Sequence, residues 1–110
     1  MIRRYQDLNT MKYNKLVRDK IPEFIKSKGG SAITHIADDA EYWRKLKEKL
    51  QEEVDEFVEA ENIEEMADIL EVIDAIFNYK KFDNQELEKV KEAKANERGR
   101  FNDKIILEES

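Results

Sequence analysis

The chain has no cysteine, one proline, three glycines and one histidine among its 110 residues. Without cysteine, neither disulfides nor thiolate zinc sites are available. No apolar run approaches the roughly 20 residues that a membrane-spanning helix requires. The opening residues, MIRRYQDLNT, lack the apolar core of a signal peptide. The expected setting is the cytoplasm, with no membrane partner. Basic residues are also in the minority: 20 Lys and Arg face 26 Asp and Glu, a net charge of −6. Nonspecific nucleic-acid binding depends on clustered cations that release counterions, so nucleic acid is not an expected partner. A small anionic substrate remains open if metal ions bridge it to the acids.

What the chain does have is charge and helical periodicity. Charged residues make up 42% of it and aromatics 9%, which suits a helical protein with solvated outer faces and one modest core. We read residues 1–11 as an extension and 12–110 as one domain. Residues 13–18, YNKLVR, read as a strand or an extended arm. Pro22 suits the first turn of a short helix that Gly29 and Gly30 stop. Ala32 to Ile36 is enriched in β-branched residues, which predicts a short strand. Asp38 with Glu41 forms a capping-box pattern opening a long helix to about Ala60. Asn62 opens the next, to about Tyr79, and Asp83 with Glu86 opens a mostly polar one that Gly99 stops after Arg98. Ile105 to Leu107 predicts a second short strand.

Four acids stand out on the two central helices: Glu53 and Glu56 in QEEVDEF, and Glu65 and Asp68 in EEMADIL. Each pair has i, i+3 spacing and so projects from one side of its helix. A turn near Glu61 would set Glu56 level with Glu65 and Glu53 level with Asp68. On the helical wheel, Trp43, Leu46, Leu50, Val54, Phe57 and Val58 form the first apolar stripe. Glu53 borders that stripe, whereas Glu52 points to the opposite face. In the second helix Met66, Ile69, Leu70, Val72, Ile73, Ile76 and Phe77 cover about half the circumference. Glu65 falls inside this arc and Asp68 flanks it. So wide an arc predicts a homo-oligomer, a homodimer or homotetramer built by pairing helical hairpins.

Carboxylates at helical spacing are commonly a solvated face, and Glu65 has a local role in a capping box with Asn62. Here, however, both pairs lie toward apolar arcs at matching distances from one turn. Like charges half-buried together are costly unless they protonate or bind a cation. Hard oxygen ligands favour Mg²⁺, Mn²⁺ or Ca²⁺. Trp43 lies on the stripe and is expected in the core rather than stacked on a base. The lone His35 is expected to be structural. Asn78, beyond Asp68 on its helix, is a candidate contact to a base or sugar.

Glu52-Glu53-x-x-Glu56 followed by Glu65-x-x-Asp68 resembles the EExxE…ExxD signature of the all-α nucleoside triphosphate pyrophosphohydrolases, the MazG and phosphoribosyl-ATP pyrophosphohydrolase superfamily. YNKLVRDKIPEFI at residues 13–25 and NERGRF…IILEE near the C-terminus resemble its small house-cleaning branch. The resemblance implies an all-α helical-hairpin bundle with one or two short peripheral strands, assembled as an oligomer. It also implies hydrolysis of a nucleoside triphosphate between the α and β phosphates, giving a monophosphate and pyrophosphate.

Carried over by position, Glu53, Glu56, Glu65 and Asp68 would hold Mg²⁺, with Mn²⁺ an alternative. Glu52, Glu53 and Glu56 are the catalytic candidates. Glu52 would support the site or orient the attacking water, and a carboxylate or a hydroxide held by the metal would serve as base. Lys15, Arg18 and Lys20, with Arg98, Arg100 and Lys104, are candidates for the substrate phosphates, alongside Asn78. Asp19 would orient Arg18 or Lys20. Only eight residues separate Glu56 from Glu65, as in the compact phosphoribosyl-ATP enzyme and shorter than in many MazG proteins. That leaves phosphoribosyl-ATP as an alternative substrate. A noncatalytic helical protein whose acids bind a structural cation or a basic partner is the alternative from another class.

Overall fold

A computed structural model of the chain describes residues 14–110. The expected extension at residues 1–11, and Tyr13 at the head of the arm, lie outside the described residues. Among the described residues there are four helices: α1 (Ile21–Ser27), α2 (Asp39–Ala60), α3 (Ile63–Lys80) and α4 (Asn84–Arg98). The chain divides into two compact units, one ending at Ile76 and the other spanning Phe77–Ser110.

Local chemistry sets each helix end. Pro22 occupies the first turn of α1, where its missing N–H costs nothing. Gly29 follows with φ +87°, a left-handed conformation that glycine adopts without a steric penalty. Asp38 caps α2 by accepting from the Glu41 N–H at 2.8 Å. The Glu41 carboxylate meets His35 Nε2 at 2.9 Å, so the single histidine has a local partner on the surface.

Two residues join α2 to α3. Glu61 turns left-handed at φ 53°, while its N–H donates to the Phe57 carbonyl at 2.8 Å. Asn62 accepts from the Glu65 N–H at 2.9 Å and so starts α3. With so short a connection the helices fold back as a hairpin, and both runs of acids are brought to one place. Asp83 starts α4 by accepting from the Gln85 N–H at 3.0 Å, not from Glu86 as its capping pattern suggested. Gly99 stops that helix, its N–H donating to the Ala95 carbonyl.

The buried set in the first unit is small and mixed. Ile21, Leu46 and Val72 are the buried apolar side chains; Lys49, Glu53 and Asp68 are buried with them. Trp43 is half-buried, with the Lys47 ammonium 5.2 Å from its ring centroid. The broad apolar arc of α3 is only partly used: Val72 is buried, whereas Met66 and Leu70 are exposed.

Both expected strands are corrected. Ala32–Ile36 and Ile105–Leu107 form no strand, and no described residue does. β-Branched residues favour an extended chain, but a strand persists only when a neighbour satisfies its ladder. Neither segment has one, and Ile33, Ile36, Ile105 and Ile106 are exposed. Residues 14–18 form neither helix nor strand. They run as an arm, the other reading offered, but not a fully extended one, with Asn14 left-handed at φ 47° and a bend at Lys15.

Candidate metal centre

The site is built on the α2–α3 hairpin. Glu53, Glu65 and Asp68 each bring one carboxylate oxygen to within 4.8 Å of the others. Glu53 is 1% exposed and Asp68 9% exposed. Glu53 Oε2, Glu65 Oε2 and Asp68 Oδ2 are all buried without a hydrogen-bond partner. Three carboxylates so placed repel one another and have lost their water, the situation that a divalent cation relieves. The donor set is all oxygen, which fits Mg²⁺ or Mn²⁺ and does not fit soft, thiol-seeking metals. Glu56 carries a buried Oε2 as well but stands outside this group of three. The hairpin thus brings together three of the four carboxylates expected to hold a metal.

The arm ahead of α1 crosses the hairpin and places cations on its acids. Lys15 Nζ donates to Glu52 Oε1 at 2.7 Å. Arg18 donates to Asp68 Oδ1 at 2.8 Å. Both were expected to meet substrate phosphates; in this structure their partners are the protein's own carboxylates. Lys20 is exposed and lines a shallow groove with Glu23, Phe24 and Ser27.

Glu52 differs from its place on the wheel. It does not face open solvent: its side chain is 23% exposed and lies between Lys15 and Lys49. The wheel considers one helix alone and cannot show that an arm distant in sequence lies across it. Burial by itself would raise the Glu52 carboxyl. The hydrogen bond from Lys15, then the charge and hydrogen bond of Lys49, more than reverse this and hold it at about 2, against an ordinary 4.5.

Lys49 is the residue that sequence reasoning missed. It is buried, with its ammonium 3.2 Å from Glu52 Oε2 and 3.4 Å from Glu53 Oε1. The signal was available: Lys49 precedes Glu52 by three residues and Glu53 by four, the spacings at which helical side chains meet. Beside it lies a cavity of about 200 Å³ lined by Lys15, Leu16, Lys45, Glu48, Lys49 and Glu52.

The remaining candidates are surface residues. Arg98, Arg100 and Lys104 belong to the second unit and are exposed, as is Asn78. Arg100 donates to Glu92 at 3.0 Å within that unit.

No protein-family model matches the chain, and no solved structure matches it. An uncharacterized protein of Mycolicibacterium smegmatis is 49% identical over 41 residues, covering 37% of this chain and 42% of that protein. The match therefore spans less than half the length of either partner. No described helix is long and apolar enough to cross a membrane.

Proposed function

We propose that the chain is a Mg²⁺-dependent nucleotide pyrophosphohydrolase that cleaves a nucleoside triphosphate between the α and β phosphates, acting on unwanted nucleotides in the cytoplasm. The observation that carries this reading is the triad itself. Glu53, Glu65 and Asp68 converge within 4.8 Å, and each keeps one buried oxygen with no hydrogen-bond partner. The ordered motif and the KLVRDKIP segment supply the reaction class by resemblance.

Glu53, Glu65 and Asp68 would hold the cation, with Glu56 at the margin. Once bound, the ion would neutralise charge on the phosphate oxygens and favour in-line attack by water. Glu52, kept ionised by Lys15 and Lys49, is an acceptor throughout the neutral range and could orient that water. Lys15, Lys45 and Lys49 line the neighbouring cavity together with Glu48 and Glu52, with which they pair. An anionic tail there would have to compete with these carboxylates for their charge.

Assembly belongs to the same proposal. Val58, Ile63, Met66 and Leu70 leave the hairpin with an exposed apolar surface, and a second copy would cover it as a homodimer or homotetramer. Sedimentation equilibrium gives the stoichiometry.

The test is product analysis with Mg²⁺ and a panel of canonical and modified triphosphates, scoring pyrophosphate separately from orthophosphate. Pyrophosphate with a monophosphate, absent in Glu65→Gln, is the expected result. Turnover of phosphoribosyl-ATP above all triphosphates would redirect the substrate but keep the reaction class. One observation favours a noncatalytic reading: Lys49 and Arg18 already neutralise part of the acid cluster. That reading expects no turnover on any substrate.

A further inference from the structure

Glu53 and Asp68 share an arrangement that the motif does not specify. In each carboxylate one oxygen faces a cation of the protein, through a hydrogen bond at Asp68 and a longer ion pair at Glu53, and the other is buried without a hydrogen-bond partner. Lys49 Nζ lies 3.4 Å from Glu53 Oε1, while Glu53 Oε2 is buried without a hydrogen-bond partner. Arg18 donates to Asp68 Oδ1 at 2.8 Å, while Asp68 Oδ2 is likewise buried and open. The two cations come from different places in the chain, one from inside α2 and one from the arm. Each nevertheless faces a single oxygen of its acid, Arg18 by a hydrogen bond and Lys49 by a longer ion pair.

We infer that Lys49 and Arg18 are positioning residues of the metal centre, each gripping one oxygen of its carboxylate and leaving the other for the cation. This rests on the metal-dependent reading above and goes further by giving Arg18 a role toward the metal rather than toward the substrate. The physical need is clear. A carboxylate rotates freely about its last bond unless something holds it, and a ligand held in place binds more tightly than a mobile one. Glu53 is 1% exposed, so water cannot take over that task. Lys49 is 7% exposed and also donates to Glu52 at 3.2 Å, a second contact that restrains the ammonium.

The competing view is that both cations merely offset negative charge. The two views predict opposite signs. A positive charge near a cation site repels the incoming ion, so a counter-ion that is only a counter-ion weakens metal binding, and its removal tightens it. A positioning residue does the reverse, and groups that orient metal ligands are typically worth about 10–100-fold in affinity.

The experiment is titration of the purified full chain with Mn²⁺, following the free ion by electron paramagnetic resonance, with folding checked by circular dichroism. The wild type, Glu53→Gln, Lys49→Met, Arg18→Met and Arg18→Lys are compared. The expected result is binding in the wild type and its loss in Glu53→Gln. Lys49→Met and Arg18→Met should bind roughly tenfold more weakly, with partial recovery in Arg18→Lys. Unchanged or tighter binding in Lys49→Met and Arg18→Met, with Glu53→Gln still defective, overturns the positioning role and leaves the metal centre standing. Absence of Mn²⁺ binding in the wild type overturns both. Should Lys49→Met fail to fold, Arg18→Met decides by the same criterion, because Arg18 is half-exposed and lies outside every helix. Kinetics add a second discriminator: a raised KM for nucleotide in Arg18→Met with normal Mn²⁺ affinity would return Arg18 to the substrate.

Discussion

Each unit of this chain contains a heavily charged helix, α2 in the first and α4 in the second, yet they use them differently. In the first, α2 and α3 bury Leu46 and Val72 next to Lys49, Glu53 and Asp68, so charge is drawn into the interior. In the second, α4 buries nothing, and Leu87, Val90, Phe101 and Ile105 to Leu107 are exposed. A buried charge must be matched by a counter-ion, a hydrogen bond or a metal, whereas an exposed one needs only water. The first unit therefore carries an electrostatic cost that Lys49 and Arg18 offset in part. Apolar side chains are exposed on both units, Val58, Ile63, Met66 and Leu70 on the first and Leu87, Val90 and Phe101 on the second, so what separates the units is the charge buried in the first.

The largest expected contrast lies in packing. Leu46 is fully buried, so Leu46→Ala should cost about 2–5 kcal/mol. Leu87→Ala, on a helix with no buried residue, should cost less than about 1 kcal/mol. Denaturant unfolding of both variants measures the difference. A comparable loss at Leu87 would mean that a second copy covers it.

Acid stability should follow Glu52. Its folded pKa of about 2 lies below the ordinary 4.5, so its contribution is complete above pH 4.5 and is lost as pH falls toward 2. Allowing for solvent screening, the amount is about 1 kcal/mol. Lys15→Met should flatten the stability profile between pH 2 and 4.5, read by urea unfolding at a series of pH values. An unaltered profile would show that the arm contributes nothing there.

Within the triad, Glu65 and Asp68 should separate. Asp68 is paired with Arg18, whereas for Glu65 the relevant surroundings are the other acids. Without metal, Glu65→Gln relieves repulsion and should raise stability by about 1 kcal/mol, roughly 4–8 °C for a domain of this size. Asp68→Asn also weakens an ion pair, so its gain should be smaller. Melting curves in a chelator, then with Mg²⁺, test both, and only the wild type should gain fully from the metal.

The smallest effect concerns helix ends. Glu61 and Gly99 both close helices with positive φ, 53° and 84°. Glu61→Gly should stabilise by at most about 1 kcal/mol, and Gly99→Ala should destabilise by at least as much, because Gly99 (φ 84°, ψ −176°) sits in a region essentially confined to glycine. Thermal unfolding of the two variants should therefore move in opposite directions.

The helices were legible in the sequence because their determinants are local. Asp38, Asn62 and Asp83 sit immediately before α2, α3 and α4, and Gly99 follows the last. The i, i+3 pairing of the acids and the turn near Glu61 placed all four acids on the facing sides of the hairpin, and three of them, Glu53, Glu65 and Asp68, come together there while Glu56 does not. The strands were misread because β-branched composition favours an extended chain without providing a neighbour to pair with.

Sequence alone determined the helix boundaries and a set of four candidate acids on the hairpin, because capping and periodicity act within a few residues. That Glu53, Glu65 and Asp68 converge while Glu56 stands outside them was decided by the packing of the two helices. Only the tertiary structure decided which cation meets which carboxylate. Lys15 reaches Glu52 across 37 positions and Arg18 reaches Asp68 across 50. Contacts over such separations follow from how the arm packs on the hairpin, and no helical period records them.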